Sequence, residues 1–156
     1  MSAKIAAGSK APGFKLPRDG GGEVSLSDFK ERKLVLYFYP KADTSGCTVE
    51  AKDFSKLAPV FTRAGTAILG VSADPIAKLD KFKAKHDLTI AFASDESHEM
   101  LAAYGVWAKK SMYGRIYMGI LRNTCLIGSD GKIARIWEKV KVAGHAEEVL
   151  AAAKEL

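Results

Sequence analysis

The chain has 156 residues, 47% of them apolar and 27% charged, which is the composition of an ordinary globular protein with room for a sizeable hydrophobic core. Two cysteines are too few for a secreted disulfide framework, and two cysteines with three scattered histidines argue against a structural zinc site. The net charge of +6 comes from lysines spread along the chain, with no basic block interleaved with aromatic residues, so nucleic-acid binding is not expected.

The N-terminal residues 1–8 contain no sustained apolar segment, which excludes a typical signal peptide, and no later run is long enough to span a membrane. We therefore expect a cytoplasmic protein with no membrane partner. Next in the chain, residues 11–17 and 23–26 flank a turn of Asp19 and three glycines, a pattern that predicts a short N-terminal hairpin. A helical turn is predicted to begin at Ser27 or Asp28.

Residues 34–39 form an apolar, aromatic-rich run, which predicts a buried strand of a parallel sheet. Pro40 ends this strand, and a polar turn leads into a helix predicted from about residue 46 to residue 64. Pro59 is expected to bend or interrupt that helix.

The second half of the chain continues the alternation. The predicted strands are residues 66–72, 90–94, 124–127 and 133–137, and the predicted helices are residues 74–86, 96–104 and 146–156. Asp74 is predicted to cap its helix, with Pro75 in the first turn. Residues 106–121 are predicted to be a loop, and residues 129–131 a hairpin turn. This order predicts an α/β protein with a central mixed β-sheet flanked by helices, in one domain over residues 1–156.

Cys47 is the most informative residue, because it lies in the first turn of a helix just beyond the end of a strand. Free backbone N–H groups and the positive end of the helix dipole stabilise a thiolate there. A buried, inert cysteine is the alternative interpretation. The polar surroundings of Cys47, between Gly46 and Thr48, favour a reactive thiol, and a reactive cysteine at a strand-to-helix junction indicates a thioredoxin-like fold.

Five stretches carry a resemblance to a known family: residues 8–14, 38–50, 70–74, 110–115 and 119–124. Residues 38–50 resemble the active-site loop of the peroxiredoxins, and are most similar to the peroxiredoxin Q group, also called bacterioferritin comigratory proteins. The Pro, Thr and Cys of that signature fall on Pro40, Thr44 and Cys47. The similarity extends over almost the whole chain.

This resemblance implies a thiol-dependent peroxidase of antioxidant defence, without a cofactor, that reduces hydrogen peroxide or organic hydroperoxides through a sulfenic acid on Cys47. It implies that Thr44, Arg122 and the backbone N–H groups near Gly46 and Cys47 hold the peroxide oxygens, while Pro40 shields the sulfur. Glu50 either orients the arginine or is only a favourable acidic residue in the first turn of a helix. The histidines at positions 86, 98 and 145 are predicted to be exposed and are given no role.

The departures from the family pattern concern the second thiol. Relatives commonly have proline at the position of Ser45, and many have a resolving cysteine at the position of Lys52 or in the segment 82–85, where this chain has none. Cys125 lies in an apolar strand and is interpreted as a core residue, a redox role being the alternative. The resemblance therefore implies a one-cysteine mechanism completed by an external thiol, either glutathione with glutaredoxin or thioredoxin, and favours a monomer over a dimer.

Two other functions fit the same fold. A disulfide reductase of the thioredoxin type would need a C-x-x-C pair, which the sequence around Cys47 lacks. A non-enzymatic binding or holdase protein would have no need of Pro40, Thr44, Cys47 and Arg122 together. Both are therefore disfavoured.

Overall fold

The computed structural model describes residues 5–156, and its framework is a five-stranded sheet. The first four residues, on which the prediction about the N-terminus partly depends, lie outside the described residues. The elements are β1 (Lys15–Pro17), β2 (Glu23–Ser25), a 3₁₀ helix (Leu26–Phe29), β3 (Lys33–Phe38), α1 (Ser45–Arg63), β4 (Thr66–Ser72), α2 (Ile76–Lys85), β5 (Ala91–Ser94), α3 (Glu99–Ala103), β6 (Trp107–Met112), β7 (Arg115–Ile120), β8 (Thr124–Ile127), β9 (Ile133–Trp137) and α4 (His145–Glu155). Among residues 5–156, no helix combines the length and the apolar character needed to cross a membrane.

The strands of the central sheet follow the order β5-β4-β3-β8-β9. Strands β3, β4 and β5 are mutually parallel, whereas β8 is antiparallel to β3 and β9 is antiparallel to β8. Parallel neighbours require crossover connections, which α1 and α2 supply. The predicted mixed sheet and thioredoxin-like α/β fold are confirmed, as is the N-terminal hairpin formed by β1 and β2.

The sheet separates two apolar cores, because successive side chains of a strand point to opposite faces. In β3, Val35 and Tyr37 belong to the core that contains residues of α1 and α4, while Leu36 and Phe38 belong to the other. In β8, Leu126 lies in the first core and Cys125 in the second. Cys125 and Cys47 are therefore on opposite sides of the sheet.

Two expectations that involve prolines can be compared with the structure. Helix α1 continues through Pro59, so the interruption is wrong, while a bend at Pro59 stays a prediction. Helix α2 has Pro75 rather than Asp74 at its N-cap position, so the prediction that Asp74 caps this helix is wrong. The Asp74 carboxylate instead accepts a hydrogen bond from the Ser72 hydroxyl (2.8 Å) and one from the distant Ala42 N–H (2.8 Å), and both compete with capping.

The predicted loop at residues 106–121 is also wrong, because this segment is an antiparallel hairpin of β6 and β7. Tyr113 and Gly114 form its turn with positive φ values of 52° and 76°, as two-residue hairpin turns require. Among residues 5–156, the two strands pair with each other and not with the central sheet. Most of their residues are exposed or half-buried, so they lack the apolar alternation that identifies a strand in a sequence.

Candidate active site

Cys47 is the third residue of α1, and the N-cap position of that helix is Thr44. An N-cap threonine usually accepts a hydrogen bond from the first turn, but the Thr44 side chain makes none and its hydroxyl donates to the Lys41 carbonyl (2.8 Å). The first three N–H groups of α1, those of residues 45–47, have no partner within the helix. They remain available to a ligand beside the sulfur, together with the positive end of the helix dipole.

Arg122 lies against the sulfur of Cys47. Its Nη2 donates to Cys47 Sγ at 3.3 Å, and its Nη1 donates to Glu50 Oε1 at 2.7 Å. The sheet topology explains the contact between Arg122 and Cys47. Because β8 is antiparallel to β3, the residues before β8 lie where β3 ends and the loop to Cys47 begins. The Phe38 N–H donates to the Asn123 carbonyl (2.8 Å), which fixes the two segments together.

Gly46 provides the space for this guanidinium. A Cβ atom at position 46 would lie 3.2 Å from Arg122 Nη2, closer than ordinary van der Waals contact. The backbone of Gly46 does not have a positive φ, so its lack of a side chain serves the close approach and not an unusual backbone conformation.

The carboxyl group of Glu50 is buried, with only 1% of the side chain exposed, and Arg122 is its charged neighbour. Burial raises the pKa of Glu50 to about 7, although Arg122 acts in the opposite direction. Burial alone lowers the pKa of Arg122, but its contacts with Cys47 and Glu50 outweigh that effect and raise it. The guanidinium therefore stays charged at any pH at which the protein is folded.

The remaining predicted site residues lie in the loop before α1. Pro40 is half-buried and comes directly after β3, and Thr44 is exposed. Because the Thr44 hydroxyl hydrogen is directed to Lys41, this group can accept a hydrogen bond from a ligand but does not donate one in this arrangement. The structure thus brings Arg122 into contact with both Cys47 and Glu50, and the donors near the sulfur belong to Arg122 and the backbone.

Asp74 is a residue of this site that the sequence did not reveal. By accepting from the Ala42 N–H and the Ser72 hydroxyl, it ties the loop before Cys47 to the end of β4. Asp74 is buried, and its carbonyl accepts from the Ser94 hydroxyl (2.6 Å). Ala42 and Asp74 are far apart in the sequence, and no local pattern indicates the contact.

His145 was predicted to be exposed, and that prediction is wrong. Its side chain is buried, its Nε2 lies 2.8 Å from the Thr124 hydroxyl, and its ring packs edge-on against Phe54 and Trp137. Burial lowers the pKa of His145 to about 4. The imidazole is therefore neutral near pH 7 and part of the core beneath the site.

Glu50 and His145 have opposite effects on stability as the pH changes. The pKa of His145 falls from 6.5 to about 4 on folding, so its contribution to the free energy of unfolding is complete above pH 6.5 and is lost as the pH falls towards 4. The pKa of Glu50 rises from 4.5 to about 7, so its contribution is complete below pH 4.5 and is lost as the pH rises towards 7. The two slopes offset each other between pH 4.5 and 6.5.

We therefore expect Glu50→Gln to reveal the increase in the free energy of unfolding with pH that His145 causes. The free energy of unfolding of this variant, measured with urea, should rise between pH 4.5 and 6.5 by on the order of 2 kcal/mol more than that of the parent. The double variant Glu50→Gln/His145→Gln is the control and should lose the extra slope. Equal slopes for the parent and Glu50→Gln would contradict this account.

Comparison with known proteins agrees with the geometry. A family model described as the AhpC/TSA family matches residues 7–136. The chain is 43% identical to peroxiredoxin Bcp of Bacillus subtilis over 152 residues, which covers 97% of each chain.

Two solved structures extend this similarity. The bacterioferritin comigratory protein of Xanthomonas campestris, studied for its alkyl peroxide reduction activity, has a TM-score of 0.87 and 42% identity, covering 91% of this chain and 90% of its own. PrxQ of Xylella fastidiosa has a TM-score of 0.91 and 38% identity, covering 97% and 96% respectively.

Proposed function

Because this chain belongs to the AhpC/TSA family and is a thiol-dependent peroxidase of its peroxiredoxin Bcp group, we propose that Cys47 is the residue that attacks the peroxide. The observation that carries the proposal is the Arg122 guanidinium, which lies 3.3 Å from Cys47 Sγ at the N-terminus of α1. A fixed positive charge and unpaired N–H groups at the same sulfur favour its thiolate.

In the proposed reaction, the Cys47 thiolate attacks one peroxide oxygen in line with the O–O bond. An S–O bond forms as the O–O bond breaks, the sulfur is oxidised to a sulfenic acid, and the other oxygen leaves with a proton as water or an alcohol. Negative charge moves from sulfur to the oxygens during this step. Arg122 lies at the sulfur, and the N–H groups of Gly46 and Cys47 have no partner within α1, so we propose that these donors stabilise the charge.

The proposed substrates are hydrogen peroxide and organic hydroperoxides. Only 1% of Cys47 is exposed, which suits a reagent as small as hydrogen peroxide. The alkyl peroxide reduction studied in the Xanthomonas campestris relative supports the organic hydroperoxides.

We further propose a one-cysteine mechanism. Cys125 lies in the core on the far side of the sheet from Cys47, and burial raises its pKa to about 12, which keeps it a thiol. A disulfide requires the two Cα atoms to be within about 7 Å, which the sheet between these residues opposes. An external thiol is then needed for each turnover, and this requirement supports a reducing, cytoplasmic setting. We also propose that the chain acts as a monomer, as the resemblance to the peroxiredoxin Q group implies.

The mass of the intact protein after one equivalent of peroxide tests this mechanism. A gain of one oxygen is expected, because the Cys47 sulfenic acid has no internal partner. Adding a small thiol should then give a mixed disulfide, and further peroxide without thiol should give the sulfinic acid. Rapid loss of two hydrogens would indicate a Cys47–Cys125 disulfide and contradict the one-cysteine mechanism.

A further inference from the structure

A cleft of about 630 Å³ lies between the loop before Cys47 and one face of α2. We call it the lysine cleft. Its lining includes Lys41, Asp43, Lys78, Lys81, Phe82 and Lys85. It is separate from the contacts among Cys47, Glu50 and Arg122 that make up the site described above.

The charge of the lysine cleft is strongly positive. Lys78, Lys81 and Lys85 are spaced by three and four residues, so they share one face of α2. Within residues 5–156, only Lys85 of the four lysines forms an ion pair, with Asp43 at 2.8 Å. Lysines on a helix are most often only a solvated surface, but here they surround a concavity whose wall includes the buried ring of Phe82. Such an arrangement favours an anionic ligand with some apolar surface.

The lysine cleft borders the reactive loop directly. The Lys41 carbonyl accepts from the Thr44 hydroxyl, and the Asp43 carboxylate is held by Lys85 and His86, both at 2.8 Å. Cys47 follows four residues later, in the first turn of α1. Because its sulfur is buried, an external thiol can reach it only if this turn opens, and a ligand in the lysine cleft contacts the segment from which the turn begins.

We propose that the lysine cleft binds the reducing thiol, and that this reductant is a small thiol carrying carboxylates. The inference rests on the proposed one-cysteine mechanism, since only that mechanism requires an external thiol. A peptide thiol with two carboxylates matches the volume and the unpaired charges of Lys41, Lys78 and Lys81. Glutathione has this chemistry and is the probe for the test.

In the proposed step, the thiol sulfur attacks the sulfenic sulfur of Cys47. An S–S bond forms, the S–O bond breaks, and the hydroxyl group leaves with the thiol proton as water. A second molecule of the thiol then attacks the mixed disulfide, which returns Cys47 to its reduced form and releases the thiol's own disulfide. The electrons therefore come from two molecules of the small thiol.

The test measures the decay of the Cys47 sulfenic acid after one equivalent of peroxide, with glutathione or with its diethyl ester, which lacks both carboxylates and keeps the amino group. The parent should react faster with glutathione than with the ester, and added salt should reduce the difference. The double variant Lys78→Gln/Lys81→Gln should lose about tenfold in rate with glutathione and little with the ester. The variant Lys30→Gln/Lys132→Gln, which removes two exposed lysines at the other end of the sheet, is the control for net charge and should behave like the parent.

The outcomes separate this inference from the function on which it rests. If peroxide does not add an oxygen to Cys47, the proposed function fails, and the inference fails with it. If the sulfenic acid forms but the two double variants react alike with glutathione, the lysine cleft is not the reductant site, while the proposed function stands. If Lys78→Gln/Lys81→Gln slows the reaction with a protein thiol such as thioredoxin but not the reaction with glutathione, the small-thiol proposal is also wrong.

Discussion

Cys47→Ser is expected to abolish peroxidase activity and to leave the fold intact. Serine fits the space of cysteine at the start of α1, but its hydroxyl is not ionised near neutral pH and cannot form a sulfenic acid. Consumption of peroxide in the presence of dithiothreitol measures the loss, and circular dichroism shows whether the helices persist. No other residue of the site can replace the sulfur, so the loss should be complete.

The matched control for this prediction is Cys125→Ala. Cys125 is fully buried on the far side of the sheet, so its removal should cost about 1–2 kcal/mol of stability but leave most of the peroxidase activity. Equal loss of activity in the folded forms of the two variants would show that both thiols take part. The assignment of Cys47 as the single reactive cysteine would then be wrong.

Arg122→Lys is expected to slow the reaction of Cys47 with peroxide about a hundredfold, corresponding to the ~3 kcal/mol that one preorganised donor typically provides. The guanidinium donates to Cys47 and to Glu50 at once, through two nitrogens in one plane. Lysine has a single nitrogen and cannot reproduce this geometry. Stopped-flow measurement with varied peroxide concentration gives the rate constant directly.

The control for Arg122→Lys is Arg63→Lys, at the opposite end of α1 from Cys47. This change leaves the net charge and the site untouched, so the rate should equal that of the parent. A rate for Arg122→Lys close to that of the parent would exclude Arg122 as a donor in the transition state.

The elements around Cys47 could be predicted from the sequence because their signals are local. The apolar run of β3 is buried on both faces, Pro40 ends it, and the polar turn sets the start of α1. The strand at residues 66–72 was predicted with the bounds that the structure has. The pairing of Arg122 with Cys47 depends on the sheet order, and resemblance to the family supplied what the pattern alone could not.

The features that the sequence did not reveal depend on distant contacts. The hairpin of β6 and β7 does not join the sheet, so its residues show no buried alternation. Several residues close to His145 in the sequence are polar or charged, which suggests exposure. In the structure its side chain is buried by contacts with Phe54, Thr124 and Trp137. Asp74 has the spacing of a helix cap, yet it bonds to Ala42 in another loop. A residue's local pattern cannot indicate such a partner.

The lack of a side chain at position 46 has opposite expected effects on the stability of α1 and on the reaction at Cys47. Glycine in a helix is less stable than alanine by up to ~1 kcal/mol, so Gly46→Ala would ordinarily strengthen α1. The added methyl group would lie 3.2 Å from Arg122 Nη2, so the guanidinium would have to shift to accommodate it. If Arg122 acts on the peroxide as proposed, glycine at position 46 therefore favours the chemistry through the close approach of the guanidinium, even where alanine would favour the helix.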